Sequence, residues 1–210
     1  HHFARSIIAA SLVAAMAPAL ADATYQTLPF GQNWSNTSLI SADDNWSGVP
    51  GIIGYRGDNL TSATGTDPQT ILAAEGTTDV NANQSTPNTF TTGGVTEFQL
   101  ADPTIALSGS GTADAPYIQI HLNTTGFQNI QVAYNLRDLD ASTDNAIQPV
   151  ALQYRLGSSG NFTNVPAAFV ADATSGPSLA TQAIPVSVIL PAAADNQAQL
   201  ELRIMTTNAA

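Results

Sequence analysis

Residues 127–156 read FQNIQVAYNLRDLDASTDNAIQPVALQYRL. Ile130, Val132, Tyr134 and Leu136 alternate with Gln131, Asn135 and Arg137. Beyond an acidic stretch, Val150, Leu152, Tyr154 and Leu156 alternate with Gln153 and Arg155. A two-residue period sends successive side chains to opposite faces, so each run reads as a strand with one buried face. The intervening RDLDASTDNAIQP is too polar for a core and reads as a long loop between two strands of one sandwich.

The same pattern recurs outward from this pair. Tyr25–Phe30, Trp34–Ile40, Gly51–Tyr55, Gln69–Ala74, Val95–Leu100, Thr104–Leu107 and Tyr117–Leu122 precede it. Phe162–Val165, Ala168–Val170, Ile184–Leu190 and Gln199–Met205 follow it. Gly, Pro, Asn and Asp clusters separate the runs, and no window carries a 3.6-residue apolar period. Pro149, Pro166, Pro185 and Pro191 stand near strand ends, where a missing N–H costs least. Residues 79–94, polar and holding Pro87 and a Gly pair, read as loop. The fold class expected is all-β: an antiparallel, jelly-roll-like β-sandwich of about ten strands with no substantial helix. Its buried set includes Tyr134, Leu136, Leu152, Tyr154, Val186, Val188, Leu200 and Leu202. The alternate positions, among them Tyr117, Gln119, His121, Gln153, Arg155, Glu201 and Arg203, are expected outside.

The 210 residues suit one sizeable domain and carry no linker or repeat. Arg5 precedes an apolar run, Ile7–Ala17, and Ala19-Leu20-Ala21 and Ala21-Asp22-Ala23 offer small-x-small cleavage patterns. Residues 1–23 therefore read as a bacterial export leader cut after Ala21 or Ala23, with one secreted or cell-surface domain over 24–210 and no membrane span in it. His1 and His2 belong to the leader or to cloning.

Cysteine is absent, which removes disulfides, thiolate nucleophiles and Cys-type zinc sites. The net charge is −11 and all five basic residues are arginines. Nucleic acid and anionic membranes are captured by Lys and Arg, so neither is expected as a partner. Acidity fits solubility, or binding of a divalent cation.

Asp138, Asp140, Ser142 and Asp144, with Asn145 beside them, recur at every second position, like the opening half of a Ca²⁺ loop. An EF-hand is excluded, because Thr143 stands where Gly is needed and Pro149 where a bidentate Glu belongs. The plainer reading is that these side chains cap turns. Asp43 and Asp44 lie beside Trp46, which with Trp34 and Tyr55 forms a candidate aromatic platform for a sugar face; the plainer reading puts these aromatics in the core. His121, the one histidine after the leader, reads as a surface residue. No G-x-S-x-G elbow occurs. Asp43, Asp58 and Glu75 are available for glycoside hydrolysis, but nothing in the sequence pairs them. Triplets such as Asn161-Phe162-Thr163 are frequent in so Asn- and Thr-rich a chain.

Three stretches, LPFGQNWSNTSLISADDNWSGVPGIIGYRGDNL from Leu28, NLRDLDASTDNAIQPVALQYRLGSSGNFTNVPAAFVADATSGPSLA from Asn135 and LPAAADNQAQLELRIMTTNAA from Leu190, carry a resemblance. The chain resembles the amino-terminal jelly-roll module of large secreted bacterial proteins. In those proteins the module precedes an endonuclease/exonuclease/phosphatase-type phosphoesterase, a lamin-tail-like domain or an anchoring segment. No phosphoesterase active-site residue maps onto this chain. The family continues past its MTTNA-like stretch into another strand, so the resemblance implies that the domain ending at Ala210 lacks its last strand and leaves a neighbouring strand with an exposed apolar edge or groove. The expectation is a non-catalytic module that binds glycan or a downstream domain. The alternatives are a stand-alone carboxylate glycosidase or esterase, and a spacer with no ligand.

Overall fold

The computed structural model describes residues 20–139, 146–174 and 183–209. Within them the strands are β1 (Gln26–Thr27), β2 (Ile52–Tyr55), β3 (Asn81–Gln84), β4 (Gly94–Phe98), β5 (Thr104–Ser108), β6 (Tyr117–Asn123), β7 (Gln131–Leu136), β8 (Val150–Leu156), β9 (Thr163–Asn164), β10 (Ile184–Ile189) and β11 (Leu200–Thr206). Among the described residues the only helical pieces are four single 3₁₀ turns, three of them opening on a proline whose missing N–H is no loss there. The protein is an all-β sandwich.

The main sheet runs β1-β6-β11-β8-β9, with β2 also on the outer edge of β6. β11 is its middle strand, antiparallel to β6 on one side and to β8 on the other over its whole length. Both edges of β11 are thus paired. The β7–β10 pair and the β3-β4-β5 sheet pack against the main sheet. Two pairings, β1 with β6 and β3 with β4, are parallel, where the sequence reading expected antiparallel strands throughout.

Register aligns the apolar rows Leu200–Leu122, Leu202–Ile120–Tyr154 and Ile204–Ile118–Leu152 across the sheet. These face Val186 and Val188 of β10 and Val132, Tyr134 and Leu136 of β7. Six of the eight core positions expected from alternation are buried; Tyr134 and Leu136 are half-buried at the flank of that core. A second cluster continues from Ile118 and Ile120 through Ile52 to Trp46, Val49, Val80 and Val95.

Several expected strands are turns. Residues 34–40 fold into Asx turns: Asn36 Oδ1 accepts from the backbone N–H and the hydroxyl of Ser38, at 3.2 and 2.7 Å. Asn33–Ser35 and Asn45–Ser47 repeat this device, so these Asn-x-Ser triplets are turn formers. Residues 69–74 hold a 3₁₀ turn followed by extended chain rather than a strand. Ala168–Val170 contributes only a bridge from Val170 to Val150. Conversely β3 lies inside the presumed loop 79–94; its NANQ sequence has no apolar alternation, and neighbouring carboxylates hold it. Asp43 Oδ1 accepts from Ala82 N (2.8 Å) and Glu97 Oε2 from Asn83 N (2.8 Å).

Leu152 is 1% exposed between the rows of the core. Leu152→Ala is expected to lower unfolding free energy by about 2–5 kcal/mol, read by urea denaturation with an unchanged m-value.

Candidate functional site

The proposed aromatic platform does not form. Trp46 is fully buried, its ring packed over Gly54 and its Nε1–H donating to Asp79 O at 3.0 Å. Trp34 meets Trp46 edge-on at 6.4 Å and is half-buried, with φ at 60°, a conformation costly for a bulky residue. Tyr55 turns to the opposite face of the main sheet and stacks on Tyr117 at 5.0 Å. Asp43 and Asp44 are occupied by the N–H groups of Ala82 and Val80. These residues build the end of the sandwich; no sugar-facing surface unites them.

Of the candidate Ca²⁺ loop, Asp140, Ser142, Asp144 and Asn145 lie outside the described residues. Asp138 is half-buried and has an interaction partner. Arg137 reaches to another loop, pairing with Asp102 through its carboxylate (3.4 Å) and its carbonyl (2.6 Å). Among the described residues no group of three or more His, Asp or Glu is placed to hold a metal ion.

The largest departure from the sequence reading is on the second face of the main sheet. Gln119, His121, Gln153, Glu201 and Arg203 were expected outside and are buried. Strand register places them in rows, His121–Glu201–Arg155 and Gln119–Arg203–Gln153. Tyr25, residues 68–75 and Phe162 cover them.

Glu201 accepts from Tyr25 OH (2.7 Å), Arg155 Nε (2.5 Å) and Gln119 Nε2 (3.0 Å). His121 Nδ1 lies 3.3 Å from Gly51 O, which requires a proton on that nitrogen; its Nε2 then accepts from Gln119 at 3.2 Å. That is a neutral imidazole. Burial pushes the His121 pKa down, and nearby Glu201 only partly opposes this. Burial together with the bond to Glu201 pushes the Tyr25 phenol well above its ordinary value.

Arg203 is fully buried and has no carboxylate partner among the described residues. Its guanidinium donates to Gln153 Oε1 (2.5 Å), Ala73 O (2.6 Å) and Ile71 O (2.6 Å). Phe162 covers it at 4.1 Å and Tyr117 at 5.2 Å, both cation–π contacts. Burial lowers its pKa to about 10 and pushes that of Tyr117 up to about 12. Among the described residues the buried side-chain polar atoms without a partner, Tyr134 OH and Asp195 Oδ1, lie outside this layer, so the layer is a satisfied polar core.

An open cleft of about 470 Å³ lies at one end of the molecule, between residues 58–64, the turn 111–114 and Asn208. Asp58, Asn59, Ser62, Thr64, Asp114 and Asn208 line it. Sequence reading singled out Asp58 alone of these, and without a carboxylate to pair it with. Its partner in the cleft, Asp114, is brought in by the turn preceding β6, from 56 residues further along the chain; no local pattern reports that approach.

The chain matches no family model, no curated protein and no solved structure.

Two predictions test the buried polar layer. Arg203→Ala leaves Gln153 Oε1 and Ala73 O without donors, while Ile71 O keeps that of Gln153 Nε2, and is expected to cost about 2 kcal/mol or more, at about 1–3 kcal/mol for each stranded buried group. Arg203→Lys restores the charge but not the planar fork, so its stability should fall between those of Arg203→Ala and the parent in chemical denaturation. The second concerns pH. His121, facing Gly51 O, Gln119, Glu201, Arg155, Asp22 and the Tyr25 ring, has a folded pKa below its unfolded 6.5. Its contribution to stability is thus complete above the unfolded pKa and is lost as pH falls toward the folded one. Unfolding free energy should decline from neutral pH into the mildly acid range, and His121→Gln should flatten that slope.

Proposed function

We propose that this chain is a non-catalytic, jelly-roll-type module of an exported bacterial protein, and that it binds glycan while serving a hydrolase domain elsewhere in the same polypeptide. One observation carries the reading. The histidine, the buried glutamate and the two arginines on the main sheet are saturated inside it, whereas the open cleft presents carboxylates, amides and hydroxyls with neither a nucleophile–base pair nor a cation. The leader-like segment and the resemblance to amino-terminal modules of secreted bacterial proteins support the same reading. All four described arginines are committed internally, to Asp79, Asp102, Glu201 and the carbonyls of residues 71 and 73, which disfavours polyanionic partners.

A second reading has one observation in its favour: Asp58 and Asp114 share the cleft, and glycoside hydrolysis uses two carboxyl groups. Such chemistry needs one carboxyl held protonated in a dry pocket. This cleft is open and lined by hydroxyls and amides, and Asp114 Oδ2 already accepts from Asn59 N at 2.9 Å. The binding reading is therefore the stronger.

Presenting the chain from Thr24 onward to a panel of immobilised polysaccharides should give retention without release of reducing ends. Release of reducing sugar that disappears in Asp58→Asn would establish the glycosidase instead. Retention on no polysaccharide would leave a spacer.

A further inference from the structure

We infer that the cleft bordered by Asp58, Asp114 and Asn208 is the ligand site, and that it takes an uncharged saccharide through its hydroxyl groups without a metal ion. This rests on the binding-module reading above and assigns its location and ligand class.

The first argument is the state of the lining groups. Among the described residues, the side chains of Asp58, Asn59, Ser62, Thr64 and Asn208 make no hydrogen bond or ion pair to the protein, and Asp114 uses only one carboxylate oxygen. By contrast, Asn33, Asn36 and Asn45 bind their own loops. Here they converge on one cavity with their hydrogen-bonding capacity free.

The second argument is preorganisation. Residues 57–66 are fixed from several directions. Gly57 N donates to Glu75 Oε2 at 3.0 Å, and Gly57 O accepts from Ala115 N at 3.1 Å. Gly65 N donates to Asn208 O at 2.8 Å, and Thr66 O accepts from Thr207 Oγ1 at 2.6 Å. Thr61 and Thr66 bond across the loop at 2.9 Å. Asn59 is held left-handed at φ 60° by the bond from its N–H to Asp114. A loop held this firmly loses little freedom when a ligand arrives, which matters for a polar ligand that brings little apolar contact.

The third argument is the chemistry of the set. Two carboxylates repel anions. The lining mixes polar and apolar surface in comparable amounts, so a wholly greasy ligand would strand the carboxylates and amides. An ammonium group would satisfy the carboxylates but give the amide and hydroxyl donors no acceptor. A hard cation wants about six to eight oxygen ligands, and among the described residues no group of three or more acidic or His residues is placed for one. A sugar hydroxyl both donates and accepts. Adjacent hydroxyls can donate to a carboxylate while accepting from Asn and Ser side chains. The volume, about 470 Å³, falls in the range of small-ligand sites.

The test is a titration of the ¹⁵N-labelled chain with methyl glucoside, methyl galactoside, methyl mannoside and cellobiose, at physiological salt with chelator present. Amide shifts should concentrate on residues 58–65, 111–114 and 208 for at least one sugar. Asp58 has no protein partner to lose, so Asp58→Asn should keep the parent melting temperature while weakening that sugar about tenfold or more, the loss of a charge-assisted bond. Ser62→Trp, an exposed position that can plug the cleft, should abolish the shifts. Sugar shifts elsewhere, with Asp58→Asn unaffected, would overturn the cleft assignment and leave the binding-module reading standing. Shifts in the cleft produced by Ca²⁺ alone or by arginine methyl ester, with none from the sugars, would overturn the ligand class. No sugar shifts, together with no retention on polysaccharide, would overturn both.

Discussion

The structure turns on the guanidinium of Arg203 at the centre of the main sheet. A buried cation without a counter-ion is costly unless its charge is spread over other dipoles and faces. Here two main-chain carbonyls, the Gln153 oxygen and the rings of Phe162 and Tyr117 share the task. The same bonds fasten residues 71–73, which have no strand partner, onto the sheet. Gln153 extends the attachment to Pro68 O and to Asn164, and Asn164 donates to Gln69 O. The cover over this face is thus held by side-chain to main-chain bonds and not by apolar packing alone.

That arrangement explains what the sequence did and did not disclose. Leu200, Leu202 and Ile204 alternating with Glu201 and Arg203 announces a strand and its apolar face, and the structure agrees on both. Alternation does not say whether the polar face is wet. In a strand paired on both edges and covered on both faces, the polar residues are buried just as deeply. The available clue was chemical: His121, Gln119, Gln153, Arg155, Glu201 and Arg203 form a mutually complementary set on neighbouring strands. Recognising it requires the strand order, which local pattern does not contain.

The turns divide in a similar way. Expected strands failed where Asn-x-Ser triplets offered the backbone a competing set of local bonds, as over residues 33–38. The one unexpected strand, β3, has no pattern of its own and exists because Asp43 and Glu97 satisfy its N–H groups from outside. Trp46 followed the ordinary preference of a large aromatic for the core, with its indole N–H matched to a buried carbonyl. In each case the deciding partner lies far along the chain or belongs to the backbone.

The polar layer also reaches the open cleft. Arg203 holds Ala73 O, and two residues on, Glu75 accepts from Tyr117 OH through its carbonyl and from Gly57 N through its carboxylate. Gly57 opens the loop that forms one wall of the cleft, and added bulk there would collide with the Ala115 carbonyl. Across the cleft, Asn208 continues directly from β11, the strand that carries Arg203. Both walls are therefore referred to one strand: one by covalent continuity, the other through a chain of hydrogen bonds starting at its buried cation. A rigid, satisfied interior beside a cleft of unsatisfied groups is the division of labour expected when the scaffold's polar residues are spent on position and the surface ones are left for a ligand.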